Sequence, residues 1–380
     1  MRKYYCMNPI AQVGLDNFSK NYIKTDEITE AEGILVRSAS MHDMELPDGL
    51  LAVARAGAGV NNIPLEKCAE KGIVVFNTPG ANANGVKELV IAGMLLASRD
   101  VVSGINWVKE NQEDENIAKD AEKAKKKFAG TEVMGKRLGI IGLGAIGVKV
   151  ANAAVGLDME VWGYDPYLSV DGALKLDRSV KHVTELDEIF ANCDYITIHV
   201  PLNADTKNTI SAEAIEKMKD GVRVINLARG ELVDTKAMAK ALESGKVAAY
   251  VSDFASDEIL EQENAITLPH LGASTPESED NCAMMAADEL MDYLENGNIT
   301  HSVNYPEVSV PRSTETRVCV LHRNIPNMLT QISGVLAADG TNIETMTNRS
   351  KKDYAYPILD VVGDVAEASL DKIQAVDGVI

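Results

Sequence analysis

Glycines at fixed spacing, a carboxylate some distance beyond them, one arginine and one histidine are the residues that could do chemistry in this 380-residue chain. Gly142, Gly144 and Gly147 in GLGAIG directly follow the apolar run LGII. They open a stretch in which Ile146, Val150, Ala153, Ala154 and Leu157 keep helical spacing. Glycines there permit a tight turn, and the backbone from Gly142 through Gly144, Ala145 and Ile146 to Gly147, at a helix start, can cradle a pyrophosphate. About twenty residues on, the strand EVWGY runs into Asp165, whose carboxylate would accept hydrogen bonds from ribose hydroxyls and repel a 2′-phosphate. The nucleotide this favours is NAD rather than NADP.

Arg229, in NLARG after the apolar VRVI, and His270, in PHLGAST, each stand at the end of an apolar strand. Oxidising an alcohol needs a base for the hydroxyl proton while hydride leaves the same carbon, and a neutral histidine can be that base. An arginine fixes a substrate carboxylate and keto oxygen through planar donors, which a lysine does less well. A carboxylate beside the histidine would stabilise the imidazolium formed.

The elements that must position these groups read as alternating strands and helices. ILVRS (34–38), LLAVARAG (50–57) and IVVFNTPG (73–80) precede a helix over 88–99. After residue 136 the strands KRLGII, EVWGY, YITIHVPL and VRVINLARG belong to one doubly wound sheet. Residues 106–130, rich in Lys, Glu and Asp, read as an exposed excursion that meets another subunit. The fold class is α/β, with two Rossmann-like doubly wound parallel sheets. A linker with little periodicity, 308–316, leads to a small C-terminal α+β module of order βαββα.

Composition excludes several functions. A formal charge of −20 opposes nucleic acid and anionic membrane surfaces as general partners, so an anionic small-molecule substrate needs a local basic pocket. Five scattered cysteines without zinc-ligand spacing predict a reducing compartment and no metal site. No apolar run has signal-peptide or membrane-spanning character, and the expected location is the cytoplasm.

The glycine run, HVPL (199–202), NLARGELVD (226–234) and PHLGAST (269–275) occur in the order of the D-2-hydroxyacid dehydrogenase family and resemble it. The likeness extends from RSA (37–39) and RAGAGVNN (55–62) to about residue 305. It implies Arg229 as the substrate-orienting arginine, His270 as acid/base, and a supporting carboxylate in DFASDEI. Glu258, five residues from Asp253, is the expected carboxylate, whereas anchoring on Phe254 gives Asp257 as the alternative. Further implied cofactor contacts are Pro166, His199, Pro201, Thr206, Ala228, Asp253, Gly272 and Ala273. Implied substrate contacts are Arg37, as phosphate ligand, Ser38, the Ala56, Gly57 and Ala58 amides, and Asn82.

The tail resembles an ACT domain, which implies L-serine as effector at His322, Asn324 and Asn342; Asn327 stands where that pattern has glycine. The resemblance also implies a homodimer or homotetramer and oxidation of 3-phosphoglycerate. Other readings are a reductase of the glyoxylate or hydroxypyruvate type, or a non-catalytic NAD-sensing protein. The expected domains are substrate binding (1–88 and 281–307), NAD binding (89–280) and an ACT-like regulatory module (317–380).

Overall fold

The computed structural model describes residues 1–380, which fold into two compact units: Met1–Asn82 with Pro276–Ile380, and Ala83–Thr275. In the first unit β1 (Arg2–Cys6), β2 (Tyr22–Lys24), β3 (Gly33–Val36), β4 (Ala52–Arg55) and β5 (Val74–Asn77) form a parallel sheet of order β2-β1-β3-β4-β5. All of GILV in β3 is buried, as expected of a parallel strand covered on both faces. The helix Pro276–Asn296 packs its Cys282, Ala286, Leu290 and Leu294 into the core that includes Leu35, Ala54 and Phe76.

The second unit holds β6 (Arg137–Ile141), β7 (Glu160–Tyr164), β8 (Lys181–Val183), β9 (Tyr195–Ile198), β10 (Val222–Asn226), β11 (Val247–Ser252) and β12 (Ala265–Thr267). They make a seven-stranded parallel sheet of order β12-β11-β10-β9-β6-β7-β8. Order reverses beside β6, the point at which doubly wound sheets bind nucleotides. The helix expected from residue 88 begins at Ala83, because Ala83, Gly85 and Val86 are already buried. Within that helix a Cβ on Gly93 would come 2.9 Å from Val251 Cγ1, so glycine lets helix and sheet approach. The excursion expected over 106–130 is helical instead, over Val101–Glu110 and Ile117–Ala124. Polar composition conceals helices that have little to bury.

The tail forms an antiparallel sheet: β13 (Thr316–Cys319) and β14 (His322–Arg323) lie along one edge of β16 (Tyr354–Val362), and β15 (Asn342–Lys351) along the other. With helices Met328–Ala338 and Glu367–Gln374 it has the order read from the sequence, and this third small sheet fits an ACT-like module. Alternation along β16 divides its contacts. Leu359 and Val361 join Ile332, Leu336 and Ile373 in the tail's own core, whereas Tyr356 and Ile358 join Leu290, Leu294, Ile299 and Tyr305. Arg317 and Asp360, 1% and 0% exposed, form an ion pair at 2.6 Å, and Ser313 donates to the same carboxylate.

Candidate active site

In the second unit every candidate group leaves the carboxyl end of a strand. The glycine loop follows β6, Asp165 follows β7, His199 follows β9, Arg229 follows β10, Asp253 follows β11 and His270 follows β12. Parallel pairing therefore gathers residues spread over 129 positions at one edge of one sheet.

Sterics explain the glycines. A Cβ on Gly147 would lie 1.9 Å from Gly142 O, so the helix Ala145–Val155 can start only with hydrogen there. Gly142 has φ 95°, and its Cβ would meet the His199 carbonyl at 2.9 Å. A Cβ on Gly144 would meet nothing within 4 Å, which leaves open the space a pyrophosphate would take. Asp165 is tied to this loop: Leu143 N donates to Oδ2 and Tyr167 N to Oδ1, each at 2.8 Å. Those two bonds leave further carboxylate lone pairs for ribose hydroxyls. Pro166 and Pro201 are exposed, while Thr206 folds its own loop, its Oγ1 donating to Pro201 O at 2.6 Å.

Asp253 is 2% exposed and holds the histidine segment. Its Oδ2 accepts from Gly272 N at 2.9 Å and its carbonyl from His270 N at 3.0 Å. Its Oδ1 is buried with no partner. An orphaned buried acceptor at the carboxyl edge fits the carboxamide of a bound nicotinamide, as do the open space at Gly144 and the anchored Asp165. His199 likewise keeps a buried Nδ1 without a partner, while Nε2 meets Thr197 Oγ1 at 3.0 Å; burial lowers its pKa to about 4.

His270 has φ 45° and packs its ring on Phe254, centroids 5.0 Å apart. Neither Glu258 nor Asp257 is hydrogen-bonded to it, so the carboxylate support expected beside His270 is not formed. Both residues lie in the first turn of the short helix Asp257–Leu260, whose Ile259 is the buried member and fixes the turn's orientation. Arg229 is exposed, its Nη1 donating to Ala228 O at 2.7 Å. The residue that sequence reasoning missed is Asn226, fully buried, whose Nδ2 donates to Arg229 O and whose Oδ1 accepts from Ala228 N. A polar residue closing the apolar run VRVI was its signal.

In the first unit Arg37 and Ser38 follow β3, Ala56, Gly57 and Ala58 follow β4, and Asn82 lies beyond β5, again at one carboxyl edge. Arg37 Nη2 pairs with Glu279 Oε1 at 2.5 Å, a partner the sequence did not disclose. Its backbone is held by Asn8 Oδ1 and by Arg55 Nε, which donates to Arg37 O. The Ala56 and Gly57 amides, expected as substrate donors, already serve Val36 O and Arg55 O. The neighbouring β3 takes the first and the turn after β4 the second: Gly57 sits at φ 146° with the Arg55 guanidinium where its Cβ would be.

Among the effector candidates, His322 is buried, its Nδ1 on Arg323 O at 2.7 Å and its Nε2 without a partner. Asn324 caps Lys352 O. Asn342 pairs with Val362 and His322 with Ala355, so the two stand at opposite ends of β16, roughly 23 Å apart at ~3.3 Å per residue. One chain alone does not bring them together. Asn327 takes φ 71°, a conformation asparagine tolerates, and so meets the demand usually met by glycine.

No helix is long and apolar enough to cross a membrane. The family model for the D-isomer specific 2-hydroxyacid dehydrogenase NAD binding domain matches residues 91–274. A D-3-phosphoglycerate dehydrogenase of Haemophilus influenzae is 32% identical over 96% of this chain and 90% of its own length. Another, of Archaeoglobus fulgidus, is 35% identical over 80% of this chain, which spans 60% of that protein. Of solved structures, NAD-bound 3-phosphoglycerate dehydrogenase of Entamoeba histolytica matches with TM-score 0.62 and 28% identity, over 80% of this chain and 98% of that one. A glyoxylate reductase of Paecilomyes thermophila matches with TM-score 0.66 and 26% identity over the same shares.

Proposed function

From the premise that this chain belongs to the D-isomer-specific 2-hydroxyacid dehydrogenase family, we propose that it oxidises 3-phosphoglycerate to 3-phosphohydroxypyruvate with NAD, the first step of L-serine biosynthesis. The observation that carries the reading is the convergence of Arg229, Asp253 and His270 at the carboxyl ends of three adjacent strands. When bound, NAD supplies the hydride acceptor. His270 takes the hydroxyl proton as hydride departs, and Arg229 holds the substrate carboxylate and the developing keto oxygen. Asp253 holds the His270 segment through two hydrogen bonds, and its unpartnered Oδ1 would accept from the carboxamide. The Gly142–Gly147 backbone takes the pyrophosphate and Asp165 the ribose. His199, Pro201, Thr206 and Ala228 wall the nucleotide. Arg37, with Ser38 and Asn82, takes the phosphate, and Glu258, in the turn after β11, is the carboxylate that would support His270.

The tail is read as a regulatory module for L-serine, whose His322 Nε2 lacks a donor. Because Asn342 lies at the other end of the sheet, a second copy must complete the site, which supports a homo-oligomer. Val101, Val102, Ile105 and Val108, each 44–50% exposed on one helix, support a second contact between copies. Five free thiols fit the cytoplasm.

The ion pair of Arg37 with Glu279 supports a second reading, an unphosphorylated 2-hydroxy acid as substrate, since it neutralises the phosphate candidate. One experiment separates them. NADH formation is followed with 3-phosphoglycerate, D-glycerate and 2-hydroxyglutarate, with and without serine. Turnover selective for 3-phosphoglycerate and lost by orders of magnitude in His270→Ala is expected. Equal turnover of D-glycerate selects the second reading, and retained turnover in the variant removes His270 as the base.

A further inference from the structure

Away from the strand ends, a cavity of about 560 Å³ opens along the helix Pro276–Asn296. Asp288, Glu289 and Asp292 line it together with His301, Met284 and Met285, and no lysine or arginine does. Asn17 Nδ2 donates to Asp288 Oδ1 and Asn298 Nδ2 to Asp292 Oδ1, so the exposed Asp288 and the half-buried Asp292 are both held in place. Glu289 is different. Its side chain is 8% exposed, Oε1 lies 2.7 Å from His301 Nδ1, and Oε2 is buried without any partner. Burial, with Asp288 and Glu307 adding like charge, pushes its carboxyl up to about 9. The charged groups facing it are thus Asp288 on its own helix and His301 and Glu307 from the following segment, with Lys351 of β15 next to Glu307.

A buried acceptor with no donor marks a place where a donor belongs. With its carboxyl raised to about 9, Glu289 holds its proton near neutral pH until a cation displaces it, and a cationic donor fits a wall of carboxylates and amides with no countercharge. It is not a metal ion, since no three His, Cys, Asp or Glu side chains converge to hold one. We propose that this cavity binds a small aliphatic amine as its ammonium ion, which donates to Glu289 Oε2 under the charge of Asp288 and Asp292 and lays its methylenes on Met284 and Met285. The site stands independently of the reaction assigned above. It adjoins a segment held from two sides: His301 O accepts from Asn77 N at the end of β5, and Lys351 Nζ donates to Ser302 O and Val303 O.

Calorimetric titration of the full-length protein with 1,4-diaminobutane tests this, with butane-1,4-diol and magnesium chloride as controls. Saturable binding of the diamine alone is expected, weakened at least tenfold in Glu289→Gln and about threefold in Asp288→Asn at low salt. Absence of saturable heat, equal binding of the diol or of magnesium, or unchanged affinity in Glu289→Gln overturns the proposal. Should Glu289→Gln fail to fold, as judged by its melting curve, the exposed Asp288→Asn decides: unchanged affinity in it overturns the proposal and the expected loss supports it.

Discussion

Arg37 and Glu279 pair at 2.5 Å across 242 residues of sequence, with both side chains about two-fifths exposed. A carboxylate thus occupies the guanidinium proposed to take the substrate phosphate, and the two anions compete for it. An exposed pair of this kind is worth ~0.2–1 kcal/mol. Glu279→Gln is therefore expected to lower KM for 3-phosphoglycerate by about 1.5- to 5-fold and to leave KM for D-glycerate unchanged. The gain fades in ~1 M salt. Steady-state kinetics with both substrates checks this, and an equal shift for both would remove the competition.

Two glycines five and two residues from Gly142 separate folding from ligand binding. Gly147→Ala puts a Cβ 1.9 Å from Gly142 O and is expected to cost ~1–3 kcal/mol, seen as a lowered melting temperature. Gly144→Ala enters open space, so its melting curve is expected to match wild type. Its NAD affinity, read by fluorescence titration, is expected to fall at least tenfold because the added methyl stands where the pyrophosphate approaches.

Asp253 does two jobs with two oxygens, and Asp253→Asn divides them. The amide can still accept from Gly272 N, yet its NH2 then replaces the orphaned acceptor Oδ1. NAD binding is expected to weaken about tenfold, the ~1.4 kcal/mol of one lost hydrogen bond. The loop 268–274 keeps its proteolytic resistance. Loss of that resistance without loss of NAD affinity would make Asp253 purely structural.

The fold was legible where one physical rule dominates. GILV and YITI are buried on both faces of parallel sheets, as is VRVI apart from Arg223, and glycine spacing before a helix has few uses other than a nucleotide turn. Side-chain partners far apart in sequence were not legible. Glu279 meets Arg37, and Tyr356 joins the core of Leu290, only because the chain returns upon itself. The Ala56 amide was claimed for a similar reason, since it bonds Val36 O of the neighbouring strand, whereas the Gly57 amide is taken by Arg55 O within its own turn. The helices at 101–124 were hidden because they bury so little.

The buried Arg317–Asp360 pair sets the tail's response to acid. Hydrogen bonds from Arg317, opposed by burial and helped by Ser313, hold the Asp360 carboxyl well below the usual ~3.9. A carboxylate with a depressed folded pKa stabilises fully above its unfolded pKa, and that stability is lost as pH falls below ~4. Asp360→Asn leaves Arg317 buried and uncompensated, at a cost of ~3–5 kcal/mol. Urea unfolding at pH 7 is expected to show this loss, and the variant's acid transition near pH 4 should be shallower than wild type.

His199 gives a second pH dependence in a different window. Burial lowers its pKa to about 4, against ~6.5 in the unfolded chain. Above pH 6.5 neither state holds the proton, and the folded state pays nothing. As pH falls from 6.5 toward 4 the unfolded chain binds the proton first, so stability declines through that window. The His199 backbone carbonyl, not its ring, meets the glycine loop, where a Cβ on Gly142 would lie 2.9 Å away. His199→Gln keeps a polar side chain but removes the titration. Between pH 7 and 5 the wild-type denaturation midpoint is expected to fall and that of the variant to fall less. Parallel slopes would mean that His199 is protonated equally in both states, and its burial would then have no electrostatic consequence.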